Sequence, residues 1–137
     1  MSTLKVNTIQ NTSAAHSSTP EQLSQGRAKA WINFNADTPA IRDSFNVSSL
    51  TDNGTGDFTT NFTSSMANTT YIVTGFACDE ASRVCALGNE SMSRDISPNR
   101  DTFAVGSARL PTCYISGTNG ESNNVDCSQT YLIFFGD

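Results

Sequence analysis

Charge is scarce in this sequence. Asp, Glu, Lys and Arg together make up 15% of its 137 residues. Long solvent-facing helices rely on Glu and Lys, so their scarcity disfavours a helical protein. The eight Lys and Arg are scattered from Lys5 to Arg109, and the formal net charge is -5. That excludes the basic stripe of a nucleic-acid binder, and an acidic surface is repelled by anionic membranes. No apolar run approaches the roughly 20 residues that span a bilayer, so no membrane insertion is expected. Met1 to Gln10 lacks the apolar core of a signal peptide, so synthesis and folding in a cytoplasm are the expectation. Hydrophobic residues reach only 36%. That is little for a core that must stand alone, and burial against partner chains is one remedy. Histidine occurs once, as His16, and no two cysteines form a C-x-x-C pair. Structural zinc is therefore a poor fit, and no metal or other cofactor is expected.

What is present is Ser, Thr, Asn and Gly, which suit strands and tight turns. The length suits one domain. Residues 1–26 read as an extended N-terminal arm, with Leu4, Val6 and Thr8 alternating against Lys5, Asn7 and Ile9 as a short strand. Residues 11–19 are small and polar, as in a linker. Thr19-Pro20-Glu21-Gln22 has the form of a helix start: Thr19 as cap, Pro20 at the first helical position, Gln22 three residues after the cap and Gly26 as the stop. The opposing reading of this segment is a frayed tail.

From residue 27 to 137 the period is two. Ala30, Ile32 and Phe34 share one parity. A strand is expected from Ile41 to Leu50, then a turn over residues 51–57 built on Asn53-Gly54, then Phe58, Thr60 and Phe62. Together these read as one hairpin. Further strands are expected over residues 70–77, 83–87, 103–107, 112–116 (after an interruption at Pro111) and 125–135. Residues 117–124 carry no apolar side chain and read as a surface loop. The fold class is mainly β: an antiparallel β-sandwich or jelly-roll-like knob behind the arm. In the last strand Tyr131, Ile133 and Phe135 point one way, Leu132 and Phe134 the other. Both faces are apolar, so loops or another chain must cover the second. Trp31, beside Ile32 and Phe34, reads with Leu132 and Phe134 as core or subunit interface rather than as a sugar platform. Tyr114, Asn119 and Asn123 sit where a protruding hairpin would make exposed contacts.

The four cysteines, Cys78, Cys85, Cys113 and Cys127, are either two disulfides or buried thiols. The pairs Cys78–Cys85 and Cys113–Cys127 are each close enough in sequence to bridge a local hairpin. Nothing marks a catalytic site. The thirteen carboxylates, among them Asp43, Asp52, Asp57, Asp79, Glu80, Asp95 and Asp101, show no pairing of the kind that glycoside hydrolysis uses. Asp52, Asn53 and Asp57 lack the spacing and the closing Glu of an EF-hand.

Lys29-Ala30-Trp31-Ile32-Asn33-Phe34-Asn35, the ordered block from Ile41 to Asp57, and Phe58, Asn61-Phe62-Thr63, Met66 and Tyr71 together resemble a known module. It is common at the C-terminal ends of tail-fibre-like proteins of bacteriophages, notably marine and cyanobacterial phages. The opening Ser2-Thr3-Leu4-Lys5-Val6-Asn7-Thr8-Ile9-Gln10-Asn11-Thr12-Ser13 resembles the start of many such proteins. The resemblance implies a β-rich knob, a homotrimer, exposed on a virion assembled in the host cytoplasm. It would contact other virion proteins through residues 1–26, by strand addition, and a host cell-surface glycan or protein. It implies a structural or binding role and no enzymatic one. Typical members carry a long shaft between opening and knob, whereas here only residues 14–26 intervene. A capsid decoration or cement protein therefore stands as the alternative to a fibre or spike tip, and a glycan-cleaving spike as a remote third.

Overall fold

A computed structural model describes the chain except residues 1, 4, 14–16, 79–83, 88–101, 117–120 and 137. The N-terminal segment holds β1 (Ile9–Gln10), β2 (Ser17–Ser18) and α1 (Pro20–Gly26). The helix starts as its sequence dictates. Thr19 Oγ1 accepts from the Gln22 amide at 3.2 Å, and the Gln22 side chain accepts from the Thr19 amide at 2.9 Å. This reciprocal capping box satisfies two amide donors that the first turn leaves without helical partners. Of the strand expected from Leu4 to Ile9, residues 5–8 form none and only Ile9 is extended, in β1, in register with β2; Leu4 lies outside the described residues.

Ten further strands follow: β3 (Ala30–Asn35), β4 (Ala40–Phe45), β5 (Val47–Gly54), β6 (Asp57–Phe62), β7 (Ile72–Cys78), β8 (Val84–Leu87), β9 (Thr102–Ala104), β10 (Ser107–Ser116), β11 (Glu121–Asn124) and β12 (Gln129–Phe135). They join in the order β4-β3-β12-β7-β8-β10-β6-β5, with β9 and β11 also on β10, and the ladders among the described residues are antiparallel. This path folds over into the two facing layers of a β-sandwich. One layer is β4-β3-β12-β7; the other is formed by β5, β6, β9 and the first half of β10.

The core lies between them. Ile32, Phe34, Leu132 and Phe134 meet Phe58, Phe62, Ala108 and Leu110. Phe34 packs on Phe58 with ring centroids 5.4 Å apart, and Phe62 meets Phe134 edge-on at 5.1 Å. Each such side chain, fully buried, contributes about 1.5–3 kcal/mol before ordering entropy is counted. Period-two alternation is what aims them: in β3 and β12 every second residue is buried.

Two expectations are corrected here. The strand expected from Ile41 to Leu50 is broken at Asn46, whose φ of 56° turns the chain from one layer into the other. Asparagine tolerates this region better than most residues. Its side chain also secures the corner: Nδ2 donates to Lys29 O and Ser64 O, both at 3.0 Å, and Oδ1 accepts from the Ser64 amide at 2.7 Å. Pro111 does not interrupt its segment but lies inside β10, opposite Asp57. On its other side the described β9 pairs run to Arg109 and the described β8 pairs start at Thr112. Among the described residues, then, no ladder bond on that side calls on the N–H that proline lacks.

The hairpin expected around Asn53-Gly54 forms, with its tip one step later, at Thr55-Gly56. The Gly56 amide donates to Asp126 Oδ1 at 2.6 Å, and Gly56 O accepts from the Thr112 amide at 2.7 Å. A Cβ there would stand 2.5 Å from Thr112 O and 2.7 Å from the Val125 nitrogen, and φ is +63°. Only glycine fits that approach.

Candidate interaction surface

The outer face of the β4-β3-β12-β7 layer is set by the same alternation that builds the core. Register places Phe45, Trp31, Ile133 and Thr74 in one cross-strand row, and Asp43, Asn33, Tyr131 and Phe76 in the next. Phe135 and Ile72 begin a third. Ile72 is 65% exposed, Phe45 53%, Phe76 47%, and Tyr131 and Ile133 37% each. Trp31 is partly buried among them. Isolated apolar residues on a surface are ordinary; a contiguous set on one sheet face marks an interaction site. Aromatic residues surrounded by Asn, Asp and Thr also match the core-and-rim composition of protein interfaces.

The residues proposed from sequence divide accordingly. Trp31 lies on this outer face. Leu132 and Phe134 point the other way and are the core itself, 3% and 0% exposed. Phe45, Ile72 and Phe76 also belong to the face; the sequence signal for Ile72 and Phe76 is the alternation of Ile72, Thr74 and Phe76 against Val73. Of the arm residues, Val6 and Ile9 are exposed, and Leu4 lies outside the described residues. With Leu23 of α1, which buries no residue, Val6 and Ile9 line an open groove of about 860 Å³ that also takes in Lys5, Pro20 and Arg27. The surface loop expected over residues 117–124 is corrected at its end, where Glu121–Asn124 pair with β10 as β11, so that Asn123 is in a strand opposite Tyr114; Asn119 lies outside the described residues.

The register speaks against one of the two local cysteine pairs, Cys78 with Cys85. Ala77 is opposite Cys85 and Cys78 opposite Val84, so Cys78 and Cys85 occupy alternate faces of the ladder. Cys113 is opposite Ala86. Cys85 Sγ and Cys127 Sγ lie 2.8 Å apart, in a small cluster with buried Ala77 and partly buried Val125.

Among the described residues, Asp43 and Asp52 serve the backbone and Asp57 an ion pair. Asp43 Oδ1 accepts from the Ser44 amide and Asp52 Oδ1 from the Gly54 amide. Asp57, buried, takes both Arg109 Nε at 2.8 Å and the Arg109 terminal nitrogen at 2.5 Å. This bidentate hydrogen-bonded pairing pushes the Arg109 guanidinium above its usual range. Asp79, Glu80, Asp95 and Asp101 lie outside the described residues, as does His16. Among the described residues no three His, Cys, Asp or Glu side chains are grouped to hold a metal. Among the described residues no helix is long and apolar enough to cross a membrane. Comparison with protein-family models, curated proteins and solved structures finds no match to this chain.

Proposed function

We propose that this chain is a non-enzymatic structural protein of a bacteriophage particle. Residues 27–137 form a knob that assembles as a homotrimer, and residues 1–26 attach it to other virion proteins. The observation that carries the reading is the apolar outer face of β4-β3-β12-β7. In a chain this poor in hydrophobic residues, leaving Phe45, Ile72, Phe76, Tyr131 and Ile133 wet is costly unless a neighbour covers them. The N-terminal segment adds support: it is short of buried side chains and exposes Val6, Ile9 and Leu23, as a segment completed by docking would. The likeness of residues 2–13 and 27–76 to tail-fibre-like proteins supplies the particle. A fibre or spike tip that contacts a host-surface glycan or protein is the leading placement. The short separation of the two blocks favours head decoration as the second.

Sedimentation equilibrium of the whole chain, beside a Phe45→Ser/Ile72→Ser/Phe76→Ser variant, tests the assembly. A three-copy species that the variant loses while keeping its strand circular dichroism is expected; a monomeric parent chain overturns the trimer. Immunogold labelling of purified virions tests the location. Label at the tail supports the tip and label over the head supports decoration; unlabelled virions overturn both.

A further inference from the structure

We propose that Cys85 and Cys127 are a disulfide-forming pair that locks the seam between the two layers of the sandwich. On one side of the sandwich the layers are joined by the chain itself, at Asn46. On the other they are joined through β8, where the described residues show two pairs on each flank: Ala77 with Cys85 and Cys78 with Val84 on β7, Thr112 with Leu87 and Cys113 with Ala86 on β10. Among the described residues these are the shortest ladders in the strand path, and a lock placed there adds to the little that each pair contributes. Cys85 stands on this link. Cys127 stands on the segment that leads into β12, the central strand of the first layer, and lies 42 residues away in sequence.

The sulfurs are 2.8 Å apart, closer than unbonded sulfur contact. Bond formation needs a further approach of about 0.8 Å, which small side-chain rotations supply. The chemistry is thiol–disulfide exchange with a small-molecule disulfide such as oxidised glutathione. The Cys85 thiolate attacks one sulfur of the reagent, giving a mixed disulfide and releasing one small thiol. The Cys127 thiolate then attacks the Cys85 sulfur, forming the Cys85–Cys127 bond and releasing the second. The protein loses two electrons and two protons, and the reagent gains them. Cys85 is the partner that reacts first, being 5% exposed where Cys127 is fully covered. Exchange proceeds in the folding chain or when β8 lifts from its neighbours.

Closing a loop of this length raises stability mainly by restricting the unfolded chain. The thermal midpoint of the oxidised protein should rise by about 10 °C over the reduced protein. The test is to fold the full chain reduced, expose it to oxidised glutathione, alkylate, and map unreduced peptides after cleavage at arginine and at acidic residues. Those cuts separate Cys113 from Cys127 and Cys78 from Cys85. A Cys85–Cys127 linked peptide is expected, with a midpoint shift that Cys85→Ser abolishes and Cys78→Ser retains. Linkage of Cys78 to Cys85 or of Cys113 to Cys127, or four alkylated cysteines after oxidation, overturns the proposal. The mapping uses the parent chain, so it decides the matter even where a serine variant does not fold.

Discussion

Tyr71→Phe isolates one hydroxyl in the core. The Tyr71 ring packs edge-on against Phe62 and Phe134 and is 4% exposed. Its hydroxyl lies 3.0 Å from Ser107 O and 3.1 Å from Ala104 O, the carbonyls that flank the Val105-Gly106 turn of the β9–β10 hairpin. Removing the oxygen keeps the packing and loses the bond, a net cost of about 1 kcal/mol near neutral pH, or a fall of about 3–5 °C in Tm. Burial pushes the Tyr71 phenol from its ordinary 10 up to about 12. A proton held more tightly in the folded state adds stability that is fully present below about pH 10 and is lost as pH rises toward about 12. The loss across that window is about 2–3 kcal/mol. Urea unfolding followed by Trp31 fluorescence, at several pH values from neutral to strongly alkaline, measures both effects. The parent should be the more stable at neutral pH, and its advantage over Tyr71→Phe should vanish and reverse in alkali. Other tyrosines and lysines titrate there too, but they are common to both proteins and cancel in the difference. A difference that stays constant with pH would refute the argument that desolvation of this phenol matters.

Arg109→Met removes the bidentate guanidinium from the buried Asp57 carboxylate; because the Arg109 side chain is itself over a third exposed, the expected cost is about 1–3 kcal/mol, below that of a wholly buried pair. Adding Asp57→Asn should recover part of it, which a double-mutant cycle in urea reads directly. Gly56→Ala forces a side chain against Thr112 O at positive φ and should cost about 2 kcal/mol or more, seen as a lower unfolding midpoint with the β5–β6 hairpin amides exchanging faster.

What the sequence determined by itself is local. Ala30-Ile32-Phe34, Phe58-Thr60-Phe62 and Leu132-Phe134 each declare a strand and its two faces, because side chains in extended backbone alternate. Thr19, Pro20 and Gln22 declare a helix start, because capping needs only neighbours within one turn. Tertiary structure decided what depends on remote partners. Asn46 reads as one more polar residue in a strand until Lys29 and Ser64 stand beside it to hold a corner. Pro111 reads as a break until β10 is seen to change partners at that point. The apolar faces of β12 are equivalent on paper; only the arrival of β6 and β10 over Leu132 and Phe134 leaves Tyr131 and Ile133 outside with Phe45 and Phe76. Cys78 and Cys85, close in sequence, read as a pair, but a one-residue offset in the β7–β8 ladder sends them to opposite faces, and Cys85 lies against Cys127. Register across long separations is set by the packing of the whole sandwich, and no short stretch of chain contains it.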